Sequence, residues 1–424
     1  MRSSQNSAVD ASRMRLNNLS LVLTTVIRES PTSQAVLARL TGLNKATVSS
    51  IVEELVGGGW IRAEGRYQGG IGRPRQLLVP NADRGYLIGA EINVDYLAVL
   101  VTDFSGKKRS LVREHLDVRR LAATDAISSL RTLTVQAIEQ AGAAREQVLG
   151  VALGVPGVIN ENGMLLVAPK IGWLEIEIRA LFQEALEGLF PRAMSPIVEN
   201  EANLGAFAEW TFGCCGNVPN FIHLSSEIGV GAGVFLDGEL FRGTHGAGGE
   251  VGHTTIDPNG PRCECGKFGC LTQYVSQRAL DRIIQEHKAA GKYSLLFEGD
   301  GASLSYEHDP DRVLEAARKG DAVARDSLEE IERYLAIGIG NLVSIYDPQV
   351  VVLGGFFTEL FAGELGHLKN EVGRWVMGAF GKELRVELST KGQDSCAWGG
   401  VGLVLRQLAT NPRLLPMPDQ AARV

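Results

Sequence analysis

The segment that most narrows what this chain can become runs from Gly243 to Cys270, GTHGAGGEVGHTTIDPNGPRCECGKFGC. It carries Cys263, Cys265 and Cys270 close together, with His253 upstream of them and Glu250 just before the His. Three thiolates and an imidazole make up the donor set of a closed, four-coordinate structural zinc site. Gly260, Pro261, Gly266 and Gly269 let the backbone wrap tightly around an ion. The C-x-C-x4-C spacing is less diagnostic than two C-x-x-C pairs, and buried free thiols are the other reading of the same residues.

A chain of 424 residues with 45% hydrophobic and 21% charged residues has an ordinary globular composition and room for about three domain-sized units. No apolar run approaches the ~20 residues of a membrane span, and the start, MRSSQNSAVDASRMR, lacks the apolar core of a signal peptide. A cytoplasmic protein with no membrane partner is expected, its six cysteines fitting a metal site in a reducing compartment better than a disulfide framework. The net charge of −7 is uneven: residues 1–85 carry +5 and the remainder −12. A basic head on an acidic body is the distribution expected when only the head approaches a polyanion.

Residues 1–12, polar and without periodicity, read as a disordered tail. Residues 13–85 read as a winged helix-turn-helix. Leu16, Leu19, Val22, Leu23, Val26 and Ile27 recur at helical spacing, and this helix stops before Pro31. Ser33 can cap a short second helix ending at Leu40, Gly42 supplies the turn, and Asn44 caps a third helix over Lys45–Val56. Lys45, Thr47, Ser49 and Ser50, near the start of that third helix, are candidates for reaching base edges and phosphates of double-stranded DNA. A hairpin with Gly69-Gly70 at its tip, followed by Arg73 and Arg75, reads as a basic wing. A small helical packing module without a DNA role is the plainer alternative.

In the body, YLIGAEINVDYLAVLVTDFSG and FIHLSSEIGVGAGVFLDGELFRG share one order of strand, tight turn and strand, which points to a duplicated lobe. Lobe 1 is expected over 86–198, completed by about 396–424, and lobe 2 with the metal loop over 199–395. A ligand cleft is expected between them. Asn200 is placed to cap a helix running to about Trp210, with Glu201 favoured by the helix dipole. Further along, a helix is expected over Asp311–Arg318, an apolar helix over about Ser327–Ile345 and a strand over Val350–Leu353. Lys170 reads as a solvated side chain, and Cys214-Cys215 as small buried apolar residues.

The G-x-x-G-x-x-G-E-x-G-H stretch followed by C-x-C-G-x-x-G-C resembles the signature of the ROK family, bacterial sugar kinases and sugar-responsive repressors, and the resemblance extends over nearly the whole chain. It implies an α/β, two-lobed, actin-like (ribonuclease-H-like) body. It also implies structural Zn(2+) on His253, Cys263, Cys265 and Cys270, and a sugar held by Gly157, Asn200, Glu201, Glu250 and His253. The GRPR wing is similar to that of the family's repressor branch. Kinases of the family carry D-x-G-G-T in the first hairpin, N-D at the position of Asn200-Glu201, and Glu where this chain has Thr272. Here Glu91, Val94, Asp95 and Glu227 disfavour nucleotide phosphates, and Glu201 is one methylene too long for the family's base. No catalytic residue is therefore expected. The expected protein is a regulator, most simply a repressor of carbohydrate genes, acting as a homodimer or homotetramer on a DNA operator under a sugar effector. A body that senses a protein partner, and an ATP-dependent sugar kinase with a DNA-binding head, are the two alternatives.

Overall fold

The computed structural model describes residues 3–67, 75–216, 218–226, 228–297, 310–378 and 383–411. The chain divides into two compact units. The first comprises Met1–Leu153, Arg179–Val198 and Gly400–Val424, and the second Gly154–Ile178 and Glu199–Gly399. Residues 154–178, expected in the first lobe, thus belong to the second. The reason is local: Val158–Ile159, Leu165–Ala168 and Trp173–Ile176 form a three-stranded antiparallel sheet. The carbonyl of Gly157 beside it accepts a hydrogen bond from Asn200.

In the first unit, helices Ser3–Arg28, Gln34–Thr41 and Lys45–Gly57 precede the antiparallel pair Ile61–Tyr67 and Arg75–Pro80. The first helix starts at Ser3, within the stretch expected as a tail. No Gly or Pro interrupts those residues, although Ser, Asn and Asp there are weak helix formers. Leu19, Val22, Leu23, Val26, Leu37, Val48, Ile51, Val52 and Leu55 are buried, so the periodic positions of three helices meet in one core. Gly42 ends the second helix in the left-handed region at φ 71°, and Asn44 Oδ1 accepts from Thr47 N at 2.9 Å to start the third. Ser33 makes no side-chain cap. Trp60, after the third helix, meets the Phe104 ring edge-on at 5.7 Å.

The main sheet of this unit has the order Ile197–Asn200, Val148–Val155, Tyr86–Ile92, Tyr96–Asp103, Lys108–His115. Tyr86–Ile92 and Tyr96–Asp103 are buried almost throughout, and the helix Ala123–Ala141 packs on the sheet. The second unit repeats this order position by position with Arg385–Leu388, Val350–Gly355, Phe221–Ser226, Val230–Leu236 and Glu239–Leu240. There the hairpin is antiparallel and the two strands beside it are parallel. The repeated order is that of the duplicated actin-like, ribonuclease-H-like body. Helix Ala322–Tyr346 begins earlier than the apolar pattern indicates because Asp321 caps Ala324 N at 2.9 Å. Its Leu335, Ile339 and Leu342 enter a core shared with Leu280, Ile283 and Leu353. Among the described residues no helix is long and apolar enough to cross a membrane.

Candidate functional site

The four residues of the metal-ligand pattern converge. One donor atom from each of His253, Cys263, Cys265 and Cys270 lies within 4.8 Å of all the others. Cys263 Sγ is 3.5 Å from His253 Nδ1, and Cys265 Sγ is 3.6 Å from Cys270 Sγ. Four ligands at the Zn–S and Zn–N lengths of a tetrahedral site are separated by roughly 3.5–3.8 Å, so the donors fit a zinc ion. Backbone geometry supplies the spacing. A Cβ on Gly269, which holds φ 62°, would meet Asp257 O at 1.5 Å, so only glycine lets these two strands of the loop close on each other. Isolated bridges between Thr255 and Cys270 and between Arg262 and Phe268 finish the knot.

The electrostatics agree with a shared cation. Burial pushes the Cys270 thiol up to about 12, with the neighbouring thiols adding to it. Against burial, the Lys267 backbone N–H and the other two thiols hold Cys265 below the usual thiol value. Crowded thiols ionise one at a time, and a bound cation is what lets all three do so. Burial, then Lys267 and Lys170, keep His253 below its ordinary value, in the neutral form a metal ligand requires.

With Nδ1 among the thiols, His253 turns Nε2 to Glu250, whose Oε2 is 3.9 Å away. Both line a pocket of about 270 Å³. All its lining residues lie in the second unit. Gly157, Asn200, Glu201, Glu250 and His253 all line it. Asn200 does two jobs. Its Oδ1 accepts from Ala202 N and Asn203 N at 2.9 and 3.1 Å, capping the helix Glu201–Phe212. Its Nδ2 donates to Gly157 O at 2.9 Å and to Glu201 Oε2 at 2.6 Å. Gly157 sits at φ 116°, where a Cβ would strike Val167 O at 2.4 Å. Glu250 keeps 42% of its side chain accessible. Desolvation, with Glu201 adding repulsion, still raises its carboxyl above the ordinary range, and Lys170 opposes this.

Lys170, read from the sequence as a solvated side chain, lines this pocket with 29% of its side chain exposed. Its Nζ donates to Glu201 Oε1 at 3.4 Å. No local pattern points to this contact, because the turn that carries Lys170 meets Glu201 only in the tertiary fold. Thr272 Oγ1 accepts from Val230 N at 3.1 Å, so the position departing from the family pattern ties the second hairpin to the metal loop. Cys215 is buried but Cys214 is exposed, which corrects half of the vicinal-pair reading.

The first hairpin turn is occupied from within. Glu91 is buried, and its Oε1 accepts from Asn93 Nδ2 at 3.1 Å and from Tyr96 Oη at 2.9 Å. Asn93 Oδ1 accepts from the Val94 N–H at 2.6 Å. Glu227 lies outside the described residues. At the head, Lys45 and Ser50 are exposed and Thr47 and Ser49 half-buried, while Val48, Ile51, Val52 and Leu55 face the core. Ser49 Oγ donates to Glu53 Oε1 at 3.3 Å. Arg73 lies outside the described residues, and for Arg75 the backbone alone is described, as the start of the second wing strand.

Comparison with known proteins accords with this geometry. The ROK family profile matches residues 87–407. The chain is 33% identical over 405 residues to a protein named xylose repressor from Caldicellulosiruptor bescii, covering 94% of this chain and 97% of the relative. A solved ROK family transcriptional regulator, described as a homologue of the E. coli MLC protein, superposes with a TM-score of 0.76. It is 23% identical, and the match covers 95% of this chain and 98% of that one. A ROK family glucokinase from Streptomyces griseus, solved with glucose and AMPPNP, superposes with a TM-score of 0.63 at 27% identity, covering 75% of this chain and 99% of the other. The kinase match leaves a quarter of this chain uncovered, whereas the repressor and regulator matches run nearly end to end. The chain belongs to the ROK family, and its full-length likeness is to the transcriptional regulators of that family.

Proposed function

We propose that this protein is a DNA-binding repressor of carbohydrate genes whose operator affinity is set by a sugar in the Asn200–Glu201–Glu250–His253 pocket. The observation that carries the reading is end-to-end similarity to a xylose repressor, combined with a pocket whose polar groups converge from three separate segments. Residues 13–85 form the DNA-binding domain, with Lys45, Thr47, Ser49 and Ser50 at the major groove and Arg73 and Arg75 on the wing. The effector is a neutral sugar, a pentose by analogy with the relative's name. The protein acts as a homodimer or homotetramer, as two operator half-sites require.

Zinc, held by His253, Cys263, Cys265 and Cys270, is structural in this reading. His253, Cys263, Cys265 and Cys270 would supply four protein donors, the set of a closed structural site with no position open to substrate. Bound there, zinc would fix the His253 imidazole, whose Nε2 lies toward Glu250 in the pocket, so sugar binding would depend on a metal that does not touch the sugar. The body is not an enzyme. Glu201 is engaged on both oxygens, by Lys170 and by Asn200, which leaves a poor base.

Fluorescence anisotropy with DNA from the promoter beside the gene tests the reading. Binding at low salt, released by millimolar xylose and restored by dialysis, is the expected result. Absence of sequence-specific DNA binding, or binding indifferent to every sugar, would refute it. ATP-dependent phosphorylation of a sugar would restore the kinase alternative.

A further inference from the structure

Resting on the sugar reading above, we infer that Lys170 is the residue that limits the effector to the size of a pentose. Its side chain leaves the turn after the Leu165–Ala168 strand and crosses to the turn before Val230. A Cβ placed on Gly229 would lie 2.8 Å from Lys170 Cε and 3.4 Å from Thr272 Oγ1, so the lysine stem lies on bare backbone there. At its far end Nζ donates to Glu201 Oε1 at 3.4 Å. Glu201 is itself gripped from the other side by Asn200 Nδ2 at 2.6 Å, and Asn200 by the Gly157 carbonyl. Thr272, Gly229, Lys170, Glu201, Asn200 and Gly157 therefore form a continuous bar along the pocket wall.

The bar has little slack. Swinging Lys170 aside would separate a partly buried ammonium from the carboxylate it meets, at 29% and 21% side-chain exposure, and breaking such a pair is costly because both charges stay desolvated. Among the described residues Glu201 is the sole hydrogen-bond partner of Lys170, so the remaining N–H donors are free for a ring hydroxyl. Charge balance favours a neutral guest. Among the lining residues three carboxylates, Glu201, Glu250 and Glu264, stand against Lys170, Lys267 and Arg278, which leaves no excess positive charge to attract a sugar acid or phosphate. The stem of Lys170 stands on the pocket wall between Gly229 and Glu201, and in this inference it takes the space into which the exocyclic hydroxymethyl group of a hexose would project. A pocket that accepts or rejects one such carbon discriminates by roughly 10–200-fold.

The test is calorimetric titration of the full-length, zinc-loaded protein with xylose and with glucose. Three variants accompany the native protein: Lys170→Ala and Lys170→Asn, which remove most of the stem, and Lys170→Met, which keeps its bulk without the charge. The native protein should prefer xylose at least tenfold, by roughly the margin one carbon provides. The Ala and Asn variants should bind glucose within about threefold of xylose, while Met keeps the preference and binds xylose more weakly. If the short variants keep the native ratio, or Met loses it as they do, or the native protein shows no preference, the inference is overturned while the sugar site stands. If the native protein binds neither these nor any other sugar, the sugar site itself falls and takes this inference with it. The two short side chains differ in helix and turn preference, so misfolding of one leaves the other to decide.

Discussion

Replacing Asn200 separates two roles that one side chain fulfils. Its Oδ1 caps the helix Glu201–Phe212 while its Nδ2 ties Gly157 O and Glu201 Oε2 together. Asn200→Ala removes both. Loss of the cap costs about 1 kcal/mol, and leaving the Gly157 carbonyl without its donor costs about 1 kcal/mol more. A total of about 2 kcal/mol lowers the melting midpoint by roughly 5 °C in a unit of this size. Serine also caps well but is too short to bridge to Gly157, so Asn200→Ser should lose about half as much. Sugar binding should divide the variants differently. Both release Glu201 from a charge-assisted hydrogen bond worth about 1.5–3 kcal/mol, so both should weaken the effector by roughly tenfold or more. Scanning calorimetry with and without xylose reads both quantities in one experiment. If Asn200→Ser binds sugar like the native protein, Asn200 is a helix cap and nothing further, and the residue leaves the proposed site.

Three other outcomes follow from the same structure. Cys263→Ser should drop the zinc content, measured by atomic emission, from about one ion per chain to near zero, and lose sugar response and thermal stability together; a stable, metal-free variant that still responds to sugar refutes the coupling. Glu209 is fully buried and accepts from Ser389 Oγ at 2.7 Å and Thr390 N at 2.9 Å, so Glu209→Ala should cost about 3–5 kcal/mol in urea denaturation, with a cost under 1 kcal/mol refuting its structural role. Asp321 accepts from Ser294 Oγ, Leu295 N and Ala324 N, and these bonds outweigh desolvation to hold its carboxyl below the ordinary value. A depressed folded-state pKa means that stability from Asp321 is fully present above about pH 4 and is lost as pH falls through the folded value. Denaturant midpoints of native and Asp321→Asn proteins should therefore converge in acid; a gap that stays constant refutes it.

Local rules that act within a few residues were readable from the sequence. Asn44 and Asn200 cap helices because an amide oxygen reaches N–H groups two or three residues on, whatever the fold does elsewhere. The apolar periodicity of Leu19, Val22, Leu23 and Val26 located the helical head, and the two hairpin sequences announced a duplicated sheet whose strand orders agree. The metal cluster was legible because its ligands come from one segment closed by Gly269.

Only the tertiary structure could decide what distant segments do to each other. Lys170 and Glu201 are 31 residues apart, and whether a lysine is solvated or braced against a carboxylate depends on which turn faces which helix start. Residues 154–178 belong to the second unit, where Asn200 donates to Gly157 O across 43 residues of sequence. The same holds for the pocket, which draws its polar groups from three segments and lies in one unit. Sequence alone fixes the donor types and local geometry of this protein, since those depend on bonds within a few residues; the identity and size of what the pocket accepts depend on long-range contacts whose free energies compete across the whole chain.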